Sequence, residues 1–222
     1  MTAPRDATPA PGGAPAAQLA AQPMHFARPP APEDAVRADL YALMARLFYA
    51  GPDAAVLAAI VSAQGLTDGT DAPLAAAWRA LQAAAATADP VEVSAEYDRL
   101  FLGTGKSPVS LYASHYLTEN YKELTLVHLR DELARLGLAR KADAVEPEDH
   151  LAGLLDVMCH LVQRSEGDFS AQTAFFNSYL GPWHGKLCSA IEALDAPPLY
   201  QALARLMRIY LTNEIEYFEW TV

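Results

Sequence analysis

The chain has 222 residues, 52 % of them hydrophobic, with a mean hydropathy of +0.04 and a formal charge of −11. That length suits one domain with a core of its own. The charge argues against a nucleic-acid partner, whose phosphates need Lys and Arg to displace counterions; it favours a basic partner, or serves solubility alone.

Residues 1–32 carry Pro4, Pro9, Pro11, Pro15, Pro23, Pro29, Pro30 and Pro32 among alanines, with Arg5 and Arg28 as isolated charges. Such a stretch cannot build a packed element and reads as a disordered tail. It has no apolar h-region after a basic start, and no run further on is long enough to span a bilayer, so a cytoplasmic protein without stable membrane insertion is expected. The two cysteines, Cys159 and Cys188, form no CxxC and suit a reducing compartment.

From Glu33 to Val222 the pattern is helical throughout. Val36, Leu40, Leu43, Met44 and Leu47 make a first stripe that Gly51-Pro52 ends; Asp53 caps a short helix through Ile60; a third helix runs from Pro73 to about Ala88 and a fourth from about Val91 to Leu102. A loop over 103–109 and a turn over Leu111–Tyr116 lead to a helix capped by Thr118, with Leu124, Val127, Leu129, Leu133 and Leu136 on one face and Gly137 as its stop. Glu146-Pro147 opens the next helix, Pro taking the first position, and Leu151, Leu154, Leu155, Met158, Leu161 and Val162 form its stripe. Ser170 caps a helix with Phe175, Phe176 and Tyr179; Trp183, Leu187, Ile191 and Leu194 follow; Pro197-Pro198 introduces the last. No strand alternation interrupts this series, so the expected fold is all-α: a single-domain compact helical bundle behind a disordered tail.

Gly105-Lys106-Ser107 invites a phosphate-loop reading. A Walker A loop needs glycine at position 100, where Leu100 stands, and must follow a strand, where a helix is expected; Pro108 also removes an amide. No Glu is followed by His three residues on, and HxxxH and HExxH are absent, so no metal and no cofactor is expected. No GxSxG occurs and no spacing selects a catalytic triad, so the chain does not read as an enzyme. Glu146-Pro147-Glu148-Asp149-His150 gathers carboxylates at a helix start. They either complement the helix dipole or grip an arginine guanidinium side-on. Tyr112 and Tyr116, four apart beside the Gly/Pro loop, are either core or one wall of a groove.

Two tracts carry a resemblance. Tyr97-Asp98-Arg99-Leu100-Phe101-Leu102-Gly103, followed by Pro108, Tyr112, Ser114 and Tyr116, is similar to the "LF-G … P … Y-S-Y" tract of the TorD/DmsD/NarJ group of redox-enzyme maturation chaperones; Glu146 to Leu151 is similar to that group's "E-P-D-H" helix start, with Glu148 inserted. Phe176, Leu180, Pro182 and Trp183 resemble a weaker third tract, and the likeness covers about Glu33 to Leu211. The resemblance implies an all-helical cytoplasmic chaperone that binds the twin-arginine signal peptide of a molybdenum-cofactor oxidoreductase and assists cofactor insertion before export. Its partners would be the apo catalytic subunit and its signal peptide, and the chaperone would be a monomer or a domain-swapped dimer. The residues expected to form the peptide groove are Leu100, Phe101, Gly103, Pro108, Tyr112, Ser114, Tyr116, Glu148, Asp149 and His150. In that picture Asp149, with Glu148, pairs with an arginine; His150 orients Asp149 or donates to a peptide carbonyl; Leu100, Tyr112 and Tyr116 take the apolar run. The alternatives are a nucleotide-binding regulator using the 103–107 loop and a structural helical adaptor.

Overall fold

The computed structural model describes residues 32–64, 72–102, 107–117, 122–164, 169–195 and 197–220. The expected tail, Gly103, Gly105, Lys106 and Thr118 lie outside the described residues, as does the side chain of Leu124. In order, the helices are α1 (Pro32–Tyr49), α2 (Ala54–Ser62), α3 (Ala72–Thr87), α4 (Pro90–Tyr97) with a π-helical turn (Asp98–Leu102), α5 (Ala113–Leu117), α6 (Lys122–Arg135), α7 (Leu151–Gln163), α8 (Ser170–Tyr179), α9 (His184–Glu192) and α10 (Pro198–Trp220). One contiguous buried cluster draws on every helix, as the all-α reading requires.

Two pairings frame the molecule. Helix α1 lies along α7; Leu40, Tyr41, Met44, Leu47 and Phe48 on the one and Leu151, Leu154, Leu155, Met158 and Val162 on the other are all buried. The long helix α10 packs on α3 and α9 and buries Leu199, Leu203, Leu206, Met207 and Tyr210, the last against Tyr41 of α1. Stripes at three- and four-residue spacing bury one face of each helix, and this apolar burial drives the packing. Val36 and Val127 break the expected stripes: they are 46 % and 48 % exposed, and Thr125 takes the buried position on α6.

Local signals set several boundaries. Asp53 and Asp89 each accept from amides of the first turn they cap, in α2 and α4. Gly137 has φ 72°; its amide donates to Ala134 O and the Leu138 amide to Leu133 O, so α6 closes in the left-handed turn that glycine adopts without strain. Gly51 lies so close to α4 that a Cβ there would stand 2.8 Å from Ser94 Cα.

Three expected starts move. The helix read from Pro147 begins at Leu151, because residues 149 and 150 pair with another segment and hold His150 extended (φ −66°, ψ 137°). Phe169, not Ser170, occupies the cap position of α8 and makes no side-chain capping bond. The first helix starts one residue early, with Pro32 at its first position and Glu33 and Asp34 in its first turn.

Candidate functional site

The two motif tracts meet through the backbone. Tyr112 and His150 form an isolated antiparallel bridge; Ala113 N donates to Asp149 O at 3.0 Å and Leu151 N to Leu111 O at 2.7 Å. Side chains reinforce the junction. Asp149 Oδ2 accepts the Ser114 amide at 3.1 Å, which caps α5, and His150 Nδ1 accepts the Ala152 amide at 3.2 Å, which caps α7. The Tyr112 hydroxyl donates to Glu146 Oε2 at 2.5 Å, and its ring meets the His150 ring edge-on at 5.3 Å.

This junction fixes protonation. A ring nitrogen that accepts an amide carries no proton, so His150 is neutral here. Burial pushes its pKa below the usual imidazole value, against the opposing pull of Glu146 and Asp149. Burial and the bond to Glu146 push the Tyr112 hydroxyl well above its ordinary range.

The structure distributes the expected groove residues unequally. Leu100 and Phe101 are core: Leu100 has no exposed surface, and the Phe101 ring sits between Phe48 (6.0 Å) and Tyr200 (5.3 Å). The π-helical turn brings both inward, and Tyr97 fastens it by donating to the Phe48 and Tyr49 carbonyls that end α1. A π-helical turn therefore precedes the Gly-Lys-Ser segment, where a phosphate loop would need a strand. Tyr116 is half-buried, stacked on Trp183 at 5.1 Å, with its hydroxyl on Ser110 O. Pro108 is exposed, and Tyr112 and Ser114 are half-buried.

Asp149 differs most from its expected role. It is 1 % exposed, and both its backbone carbonyl and its carboxylate are engaged by the 113–114 amides. Burial and those amides give it a positioning role in the junction. Glu148 is already paired, side-on, with Arg130: Nε and Nη2 lie 3.0 Å from its two oxygens.

Beside the junction lies a cleft of about 720 Å³. Its floor is made of small and apolar side chains: Ala42, Ala45 and Tyr49 from α1, Ala152, Gly153 and Val157 from α7. Leu133 and Leu138 close one end, and the 139–148 connection forms the far wall with Asp143, Glu146 and Glu148; Asp156 faces them from α7. Of the expected residues, His150 and Glu148 line it. Two of its cations are engaged within the chain: Arg46 with Ala50 O and Asp53, Arg140 with Glu148 and the carbonyls of Ala144 and Glu146. The remaining cation is Lys141. Sequence reasoning missed the α1 wall. A helix that alternates Ala42 and Ala45 with larger residues gives no local sign that its small residues floor a cleft.

Among the described residues no group of acidic, His or Cys side chains could hold a metal ion, and no helix is long and apolar enough to cross a membrane.

Comparison with known proteins gives one consistent result. A family model described as nitrate reductase delta subunit matches residues 67–189. The chaperone protein TorD of Shewanella pealeana is 29 % identical over 210 residues, 85 % of this chain and 92 % of that one. TorD of Aliivibrio fischeri is 30 % identical over 138 residues, 57 % of this chain and 64 % of its own length. A crystal structure assigned as a redox enzyme maturation protein from Archaeoglobus fulgidus has a similar fold, with a TM-score of 0.53 at 21 % identity; the match covers 80 % of this chain and 94 % of that one.

Proposed function

We propose that this chain, which belongs to the nitrate reductase delta subunit family, is a redox-enzyme maturation chaperone. It binds the signal peptide of a molybdenum-cofactor oxidoreductase in the cleft between α1 and α7. The curated relatives that span nearly all of it are named chaperones, which supports a binding rather than a catalytic role. The cytoplasm, where apo enzyme and signal peptide are both present before export, is its working compartment.

The observation that carries this reading is the composition of the cleft. A twin-arginine signal peptide is a basic section followed by an apolar run. The floor of Ala42, Ala45, Ala152, Gly153 and Val157, with Tyr49 beside them, offers mostly apolar surface. The wall offers Asp143, Glu146 and Glu148, with Asp156 opposite. Hydrophobic burial then gives affinity, and charge sets orientation and register. The net charge of −11 steers a basic segment towards the protein. The motif junction is the frame: by bridging Tyr112 to His150 it holds the wall against the start of α7.

Gly153 supplies the test. It lines the cleft, and the nearest atom to a Cβ built on it is Glu148 O at 3.5 Å, an ordinary contact. A Cβ at 153 therefore meets no clash, and Gly153→Leu extends a side chain from that point into the floor of the cleft, at a helix position where replacing glycine is favourable. Isothermal titration of the client signal peptide should show binding to the wild type that weakens with ionic strength, and at least a roughly tenfold loss in Gly153→Leu, about 1.4 kcal/mol. Equal affinity in a folded Gly153→Leu protein would place the peptide elsewhere.

A further inference from the structure

The carboxylate best shaped to grip a guanidinium in the cleft wall is occupied by the chain's own arginine. Arg130 on α6 holds Glu148 side-on, with two bonds of 3.0 Å, and Arg140 Nε lies 3.8 Å from the same carboxylate. The two sides of this clasp differ in freedom. The Glu148 side chain is 12 % exposed, whereas Arg130 and Arg140 are 56 % and 40 % exposed. Glu148 is thus the fixed element, and Arg130 is a long side chain reaching in from solvent. Glu148 lines the cleft and Arg130 does not, so the two ends of the pair face different surroundings. Arg130 holds the Glu148 carboxyl below the usual carboxylate range, so the acceptor stays ionised.

A carboxylate offers one side-on face of this kind at a time, and a bidentate guanidinium fills it. Arg130 is more than half exposed and reaches in from solvent, where leaving an ion pair is offset by hydration, so exchange is inexpensive on its side. We propose that Arg130 is an internal competitor: it occupies the Glu148 face that a guanidinium of the bound segment takes on entering the cleft. This rests on the cleft being the peptide site. Binding then swaps one arginine for another at a preformed, ionised acceptor, and the returning Arg130 side chain assists release. The device selects for arginine over lysine, because an ammonium cannot reproduce the two parallel bonds it displaces.

The test is a titration with a synthetic peptide bearing an Arg-Arg pair followed by an apolar run, against wild type, Arg130→Gln, Arg135→Gln, Glu148→Gln and the Arg130→Gln/Glu148→Gln double variant. Arg135 is the charge control: it lies on the same helix, pairs with Glu132 and lines no part of the cleft. Arg130→Gln should bind roughly threefold or more tighter than wild type, Arg135→Gln should match wild type, and the Arg130→Gln gain should vanish when Glu148 is Gln. A Lys-Lys version of the peptide should gain less from Arg130→Gln than the Arg-Arg peptide. Binding by wild type with no gain in Arg130→Gln, an equal gain in Arg135→Gln, or a gain that survives Glu148→Gln would each overturn the competitor while leaving the cleft reading in place. Folded proteins that all ignore the peptide would overturn both.

Discussion

The Ser114 amide donates to Asp149 Oδ2 at 3.1 Å, across 35 positions of sequence, and this bond ties the two motif tracts into one unit. Around it the 111–113 and 149–151 backbones exchange further bonds, so the start of α5 and the start of α7 cap each other. The site is therefore a frame with a cleft beside it, and the two parts respond to mutation differently.

Asp149→Ala should act on the frame. It leaves the half-buried Ser114 amide without its acceptor, which costs about 1 kcal/mol. Asp149→Asn keeps an oxygen acceptor and should retain most of that stability and the peptide affinity. Denaturant unfolding combined with peptide titration separates the cases: a folded Asp149→Asn protein that loses affinity tenfold would mean that the carboxylate charge itself reaches the ligand.

The pH dependence of stability should follow the buried imidazoles. Burial lowers the pKa of His150, His160 and His184 relative to the unfolded value near 6.5. The unfolded chain therefore takes up protons first as pH falls, and the stability these groups contribute is full above about pH 6.5 and declines below it towards their folded values. His150→Asn replaces an N-cap acceptor by another that does not titrate. Its unfolding free energy should be less steep between about pH 6.5 and 5 than that of the wild type, as measured by urea denaturation; an unchanged slope would assign the loss to other groups.

A second anchor lies away from the cleft. Arg37 on α1 makes two bonds to Glu214 on α10, at 2.8 and 2.7 Å, and a third to Gln172 on α8. Tyr41 donates to Glu214 as well, and the guanidinium lies 4.6 Å from the Tyr217 ring. Burial alone would depress Arg37, but the bonds and charge of Glu214 hold it above its usual value. Glu214→Ala removes two of the guanidinium's bonds and leaves it Asp34 at 3.0 Å and Gln172, so it should cost about 1–3 kcal/mol. Replacing both Arg37 and Glu214 by apolar residues of similar volume should cost much less. Thermal unfolding of the single and double variants reads the difference.

Gly51→Ala should loosen the α1–α4 contact. The added Cβ would lie 2.8 Å from the Ser94 backbone, which cannot move aside as a side chain can. An expected loss of about 1–3 kcal/mol, with peptide affinity affected less than stability, is measurable by denaturant titration.

Sequence alone determined the helical class, most helix stripes and the two tracts that mark the family. These follow from signals within a few residues of one another: apolar periodicity, the Asp cap at 53, Gly137 as a stop. Where a distant segment competes, local reading fails. Pro147 looks like a helix start, yet the bridge from Tyr112 delays the helix to Leu151. Composition also shows which carboxylates exist but not which are spent. Asp149 and Glu148 are neighbours, and only folding sends one inward to backbone amides and the other to Arg130. The Arg37–Glu214 pair spans 177 positions, and the cleft takes its floor from α1 and α7, more than a hundred residues apart. Tertiary structure decided these because burial and partner choice depend on which surfaces the packed helices bring together, and no short window of sequence contains that information.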